Sequence, residues 1–297
     1  MTSLNRAIGP GQMMLYGIGS MMGAGIYGLV GKAAGILGSA MWMAFLVAMV
    51  AALLTGLSYA SIASRYPKAA GAAYATHRAY GRPWLSYVVG LAVVASGIAS
   101  SATQSKVVAI NLNSLLGWHT GLAVAGVPLE IILLAIGFLM LVGGIVYRGI
   151  SESLWANTVC TLIEAGGLVL VIAVGFRFWG DTDLTQIPVT PANPDGALTG
   201  ALLLQGAVLT FFSFLGFEDM LNVSEEVKRP ERNMPIAMIG AMLIVSVLYL
   251  AVSVTAVSTV PWQELAEAPA PLRAVVARAA PLSSPSPPSP IPRWSTP

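Results

Sequence analysis

An all-α integral membrane fold of about seven transmembrane helices is the architecture this sequence predicts, and three observations predict it. Of the 297 residues, 56% are hydrophobic and only 9% are charged, against roughly a quarter charged in ordinary soluble domains. Uncharged runs such as 7–31, 33–64, 83–105, 131–147 and 233–263 reach or exceed the roughly 17 to 25 residues that carry a helix across a bilayer. These runs are continuously apolar, whereas the strands of a membrane barrel alternate apolar and polar residues in segments of about ten.

Taken in order, the predicted spans are about 8–31, 35–64, 84–115, 127–147, 153–178, 198–223 and 235–260, within a transmembrane region covering 1–265. The segment after Arg6 is longer than the apolar core of a signal peptide and further spans follow it, so it reads as a first membrane helix. Between the second and third spans, residues 65–82 are rich in Ala and Tyr and fit either a short interfacial helix or an ordered linker. Lys106 and Glu130 lie near span ends, from which they reach the interface by snorkelling. Orientation follows from the basic residues of short loops, which stay cytoplasmic. With the N-terminus inside, Arg6, Arg65, Lys68, Arg78, Arg82, Arg148, Lys228, Arg229 and Arg232 all fall on the cytoplasmic side, and only Lys32 and Arg177 fall outside. The single cysteine, Cys160, offers no disulfide framework and reads as a small packing residue. The net charge of +2 includes no long basic run, so nucleic acid is not an expected partner.

Two spans carry features that a plain membrane helix does not need. The first reads Gly17-Ile18-Gly19-Ser20-Met21-Met22-Gly23-Ala24-Gly25-Ile26-Tyr27-Gly28, and each interior glycine costs about 1 kcal/mol relative to alanine. Unwound backbone at membrane depth is tolerated only where protein buries it or a cavity needs it. Close helix packing through the Gly19/Gly23 spacing remains open beside a binding site. The sixth span runs Phe212-Ser213-Phe214-Leu215-Gly216-Phe217-Glu218-Asp219. Its carboxylates mark either a proton-handling group at depth or a helix cap near the interface. Weakened helices in corresponding positions of two repeats are the strongest sequence pointer to the site of a secondary transporter. A zwitterionic amino acid suits such a pair of breaks, because exposed amides and carbonyls there carry opposite partial charges.

Three motifs give this sequence its resemblance to the amino acid, polyamine and organocation permease family over nearly all of residues 8–265. One is the glycine-rich first span, in which Ala24 stands where serine is common. Another is Phe212 to Glu218 followed by Glu225-Glu226-Val227-Lys228-Arg229-Pro230-Glu231-Arg232-Asn233-Met234-Pro235. The third is Thr161-Leu162-Ile163-Glu164-Ala165-Gly166-Gly167-Leu168 in the fifth span, where Glu164 replaces a frequent lysine. The resemblance implies inverted repeats of five plus five helices, with the second repeat incomplete here. It places substrate at Gly23, Ala24, Gly25, Ile26, Phe212, Ser213 and Gly216, with Phe212 as an aromatic gate. Glu218 and Glu164 are the implied proton or ion-coupling residues.

The expected function is secondary active transport of amino acids across the cytoplasmic membrane by alternating access, with proton coupling or exchange. The expected partners are an amino acid substrate, a proton or other coupling ion and the lipid bilayer. No cofactor and no metal is expected. An intramembrane enzyme finds no support, because the spans hold no His-Glu-x-x-His, no Gly-x-Gly-Asp and no Ser/His pair. Beyond the seventh span, residues 266–297 read as a Pro/Ser-rich tail that is disordered or frameshifted, and a frameshift, a gene fragment or a misplaced stop is expected near residue 281. The alternative function is accordingly an inactive or partner-dependent fragment of such a permease.

Overall fold

The computed structural model describes residues 6–69, 71–189, 193–268 and 270–280. Helix α1 (Pro10–Met21) starts with a proline in its first turn, where the missing N–H costs no hydrogen bond. It ends at Met22 and Gly23, and α2 (Ala24–Leu37) resumes at once. Gly38 takes a φ of 60° between α2 and a short 3₁₀ turn, Gly38–Ala40, which leads into α3 (Met41–Arg65). The next elements are α4 (Gly71–Tyr80), α5 (Pro83–Leu116), α6 (Leu129–Arg148) and α7 (Ile150–Gly175). The chain closes with α8 (Gly200–Phe211), a 3₁₀ segment over Phe217–Glu226, α9 (Pro230–Thr259), α10 (Trp262–Glu267) and α11 (Pro271–Ala279).

Six stretches of the described residues are long and apolar enough to cross a membrane. One of them, Gly25–Arg65, has 41 residues, about twice what one crossing needs. It therefore supplies the second half of the first span and the whole of the second, divided at Gly38. The 65–82 connection, open in sequence between helix and linker, contains the helix α4.

The core forms around α3 and α9, which pack together and carry α1 and α8 on their flanks. Hydrocarbon gives helices no hydrophobic drive to associate, so close approach must supply the attraction. Accordingly α3 buries Ala44, Ala48, Ala52, Gly56 and Ala60, one small residue per turn. Met242 of α9 fills the space over Gly56, where a Cβ would overlap its thioether. The facing stripe of α9 buries Met234, Met238, Ala241, Val245, Tyr249, Val252 and Ala256. By contrast α5 and α6 pack on each other and leave most of their surface outward.

Two features concern the ends of the chain. Ahead of α1, Ile8 pairs in parallel with Val227: its N–H donates to Glu226 O at 3.0 Å, and the Lys228 N–H donates to its carbonyl at 2.9 Å. Beyond α9, residues 271–279 form the helix α11 inside the stretch expected as tail. Pro271 sits in the first turn, where proline is tolerated. Leu272, Val275 and Ala279 then recur at helical spacing and bury one face. The Ser/Pro-rich stretch 281–297 lies outside the described residues.

Candidate functional site

The two breaks expected from the sequence are both present, and they touch each other. At the first, α1 stops and Gly23 precedes α2 in an extended conformation, with no side chain capping the new helix start. An α-helix leaves its first four amides without intrahelical partners, so the start of α2 presents polar N–H groups inside the bundle. At the second, α8 tightens into a 3₁₀ turn over Phe212–Phe214, and Gly216 takes a φ of 125° before the 3₁₀ segment begins. That φ is closed to ordinary L side chains.

Two close approaches join the breaks. A Cβ on Gly25 would lie 2.8 Å from the Cα of Ser213. A Cβ on Gly216 would lie 2.5 Å from the carbonyl carbon of Ser20 and 2.9 Å from the Met21 nitrogen. Both glycines are therefore required by contact between backbones, whereas Gly19 lies against Thr161 and Asn157 of α7 and Gly23 has only Gln104 in reach among the described residues. Gly17 makes a third approach, with Met220 and Ala241 against its Cα hydrogen.

The freed polar groups have separate fates. The Tyr249 hydroxyl, fully buried on α9, donates to the Met21 carbonyl at 2.9 Å. Sequence reasoning missed Tyr249, because 228 residues separate it from its acceptor and no local pattern marks it. The Glu218 carboxylate turns back and accepts the Gly216 N–H at 2.8 Å. Ser213 Oγ is buried with no hydrogen-bond partner among the described residues, and so is Asn157 Nδ2. Asn157 lies on α7 beside Gly19, and its carbonyl accepts from Thr161 Oγ1 at 2.8 Å. Gln104 of α5 reaches the vicinity of Gly23. Asn157 and Gln104 are the two amides that the sequence reading also overlooked.

The remaining expected residues are placed as follows. Ile26 is fully buried behind the start of α2, while the Ala24 side chain lies outside the described residues. Phe212 is 63% exposed at the second break, next to the buried Phe214. Phe214 stacks edgewise on Tyr249 at 5.3 Å between centroids. Glu164 sits half-buried on α7, one turn before Gly167, over which the Tyr27 hydroxyl hangs. It makes no ion pair among the described residues. Glu218 is also half-buried, and the neighbouring Phe217 packs edgewise on Tyr59 of α3 at 5.4 Å. The two acidic candidates therefore belong to different flanks: Glu164 to the first break's α7 side, Glu218 to the second break itself. No group of three or more metal-ligating side chains occurs among the described residues.

An amino acid permease family model matches residues 11–280. A methylthioribose transporter of Bacillus subtilis is 32% identical over 278 residues, covering 89% of this chain and 57% of that protein. A vacuolar cationic amino acid transporter of Arabidopsis thaliana is 32% identical over 266 residues, with 85% and 43% covered. A branched-chain amino acid permease of Bacillus subtilis is 28% identical over 287 residues, with 89% and 57% covered. The chain thus spans about half the length of these relatives. With the match running from the first turn of α1 to the end of α11, this integral membrane chain belongs to the amino acid permease family.

Proposed function

We propose that the chain holds an amino acid between its two helix breaks as part of a secondary transporter working by alternating access. The observation that carries this is the direct contact of Gly25 with Ser213 and of Gly216 with Ser20 and Met21. It places the uncapped amides of α2 beside the end of α8 and the unpartnered Ser213 hydroxyl. An α-carboxylate suits the positive end of α2, and an α-ammonium suits the carbonyl ends of α1 and α8. Gly23, Ala24, Gly25 and Ile26 would supply the amides, and Ser213 and Gly216 the opposite wall. Phe212 would cover the substrate as a gate. The names of the relatives, which include cationic and branched-chain amino acid carriers, support the amino-acid class.

Glu218 is the proposed proton carrier, because its carboxylate is hydrogen-bonded to the backbone of the break and feels any movement of it. Glu164, beside the first break, is the proposed second coupling residue for a proton or another cation. In the same reading α1/α2 and α8 with its 3₁₀ extension open two inverted repeats. The end bearing Arg6, Arg65 and Lys228 faces the cytoplasm across the cytoplasmic membrane.

The test is uptake and binding of labelled amino acids by the chain reconstituted in liposomes with an imposed pH gradient. Saturable uptake that Ser213→Ala weakens and Gly25→Ala abolishes supports the site. Binding without uptake favours the reading that this chain needs a partner to transport. Absence of both binding and uptake for neutral and cationic amino acids alike overturns the proposal.

A further inference from the structure

A polar cavity lies at the basic end of the bundle, well away from the breaks. It encloses about 230 Å³ and is lined by Arg6, Arg65, Tyr66, Lys68, Tyr74 and Glu225. Arg6 precedes α1, Arg65 ends α3, Tyr74 lies on α4 and Glu225 sits near the end of the 3₁₀ segment Phe217–Glu226. Three membrane-spanning segments thus deliver their ends to one place, with α4 as the outer wall. The twelve residues of α1 set the cavity roughly 18 Å from the first break at 1.5 Å per residue.

The charges in this cavity do not cancel. Glu225 is its only acidic lining residue, and it is already engaged. It accepts Lys68 Nζ at 3.0 Å on one oxygen and the Ala69 N–H at 3.1 Å on the other. Arg6 and Arg65 have no ion-pair partner among the described residues. The aromatic wall is ordered by packing: Tyr66 and Tyr74 lie 6.5 Å apart between centroids, and the Arg78 guanidinium stacks over Tyr66 at 5.8 Å. The Arg6 charge acts on Glu225 without pairing with it directly, so two guanidiniums outside any close ion pair stand beside two phenols and make a set of donors suited to one tetrahedral oxyanion, because guanidinium forks match phosphate oxygens in pairs.

We propose that this cavity binds a phosphate group, supplied by the headgroup of an anionic phospholipid in the leaflet that surrounds the basic end. The position decides between sources. A cavity formed by the ends of apolar membrane helices sits at headgroup depth, where a phosphodiester is always present and basic side chains gain from the anionic surface. The site is independent of the transport proposal, and its failure would leave that proposal standing.

Native mass spectrometry of the purified full chain, with phosphatidylglycerol competing against phosphatidylcholine of the same acyl chains, tests it. Retained phosphatidylglycerol is expected. The double variant Arg6→Gln/Arg65→Gln should bind phosphatidylglycerol roughly 30-fold more weakly, from the attraction lost with two basic residues, with phosphatidylcholine unaffected. Arg6→Lys/Arg65→Lys keeps both charges but not the forks, so it should bind phosphatidylglycerol more weakly than the parent chain and more tightly than the glutamine variant, which separates lost recognition from lost folding. Arg148→Gln, in another basic loop, should change nothing. If millimolar inorganic phosphate displaces the lipid and stabilises the lipid-free chain only when both arginines are present, the phosphate site stands and its source is soluble. Equal retention of the two lipids, or unchanged phosphatidylglycerol binding in the glutamine variant, overturns it.

Discussion

The two helix breaks solve the same problem by different means. The first is short: Met22 and Gly23 separate two α-helices, and no side-chain cap hydrogen bond is made at the start of α2 among the described residues. The second is longer, runs through 3₁₀ turns, needs a φ of 125° at Gly216, and is capped by its own Glu218. The contrast teaches where a ligand has room to act. The start of α2 has no side-chain cap among the described residues, whereas the Gly216 amide already has the Glu218 carboxylate as its acceptor.

The largest effect that would break this comparison is expected from Gly216→Ala. The new methyl must occupy a strained φ and overlap Ser20, so folding should lose at least about 3 kcal/mol, read as a collapse of the melting temperature in detergent. Gly25→Ala comes next. Its methyl would approach the Ser213 Cα at 2.8 Å, and such overpacking costs about 1 to 3 kcal/mol. The chain should still fold, but amino acid binding should disappear; wild-type affinity in this variant would refute the contact between the breaks.

Tyr249→Phe removes the donor to the Met21 carbonyl. Hydrogen bonds between membrane helices average about 0.6 kcal/mol and reach about 1.7, so a modest fall in melting temperature is expected, with binding weakened because the first break loses its anchor. Glu218→Gln should be the mildest for stability, since the amide oxygen still accepts the Gly216 N–H, and the change should stay within about 1 kcal/mol. Its functional effect is selective: uptake should lose its pH dependence while binding persists. Unchanged pH dependence would remove Glu218 from coupling.

Much of this was legible in the chain. Apolar runs of bilayer length pointed to an all-α membrane fold because in hydrocarbon a helix must satisfy its own backbone, which ties sequence to structure over each crossing. Both breaks were readable from Gly23 and Gly25 and from Gly216 with its neighbouring acids, since glycine and charge are costly at membrane depth. What the sequence hid was pairwise and distant. Nothing local to Tyr249 identifies Met21 as its acceptor, and nothing near Asn157 identifies Gly19 as its neighbour. Glu218 was legible as a carboxylate of interest, yet its turn back onto Gly216 depends on the positive φ that the fold imposes. The helix α11 escaped notice because its nine residues lie between two proline-bearing stretches.

The clasp between Ile8 and Val227 bears on how the molecule would move. Two backbone hydrogen bonds join the strand entering α1 to the strand leaving the 3₁₀ segment, at the far ends of the two half-helices from their breaks. In mechanical terms these half-helices form the arms of one linkage, hinged at the breaks and pinned at the opposite end. Swinging one arm alone would shear both bonds, while swinging the pair together leaves them intact. The two arms are therefore joined at the basic end, and an opening stroke there would be shared by both.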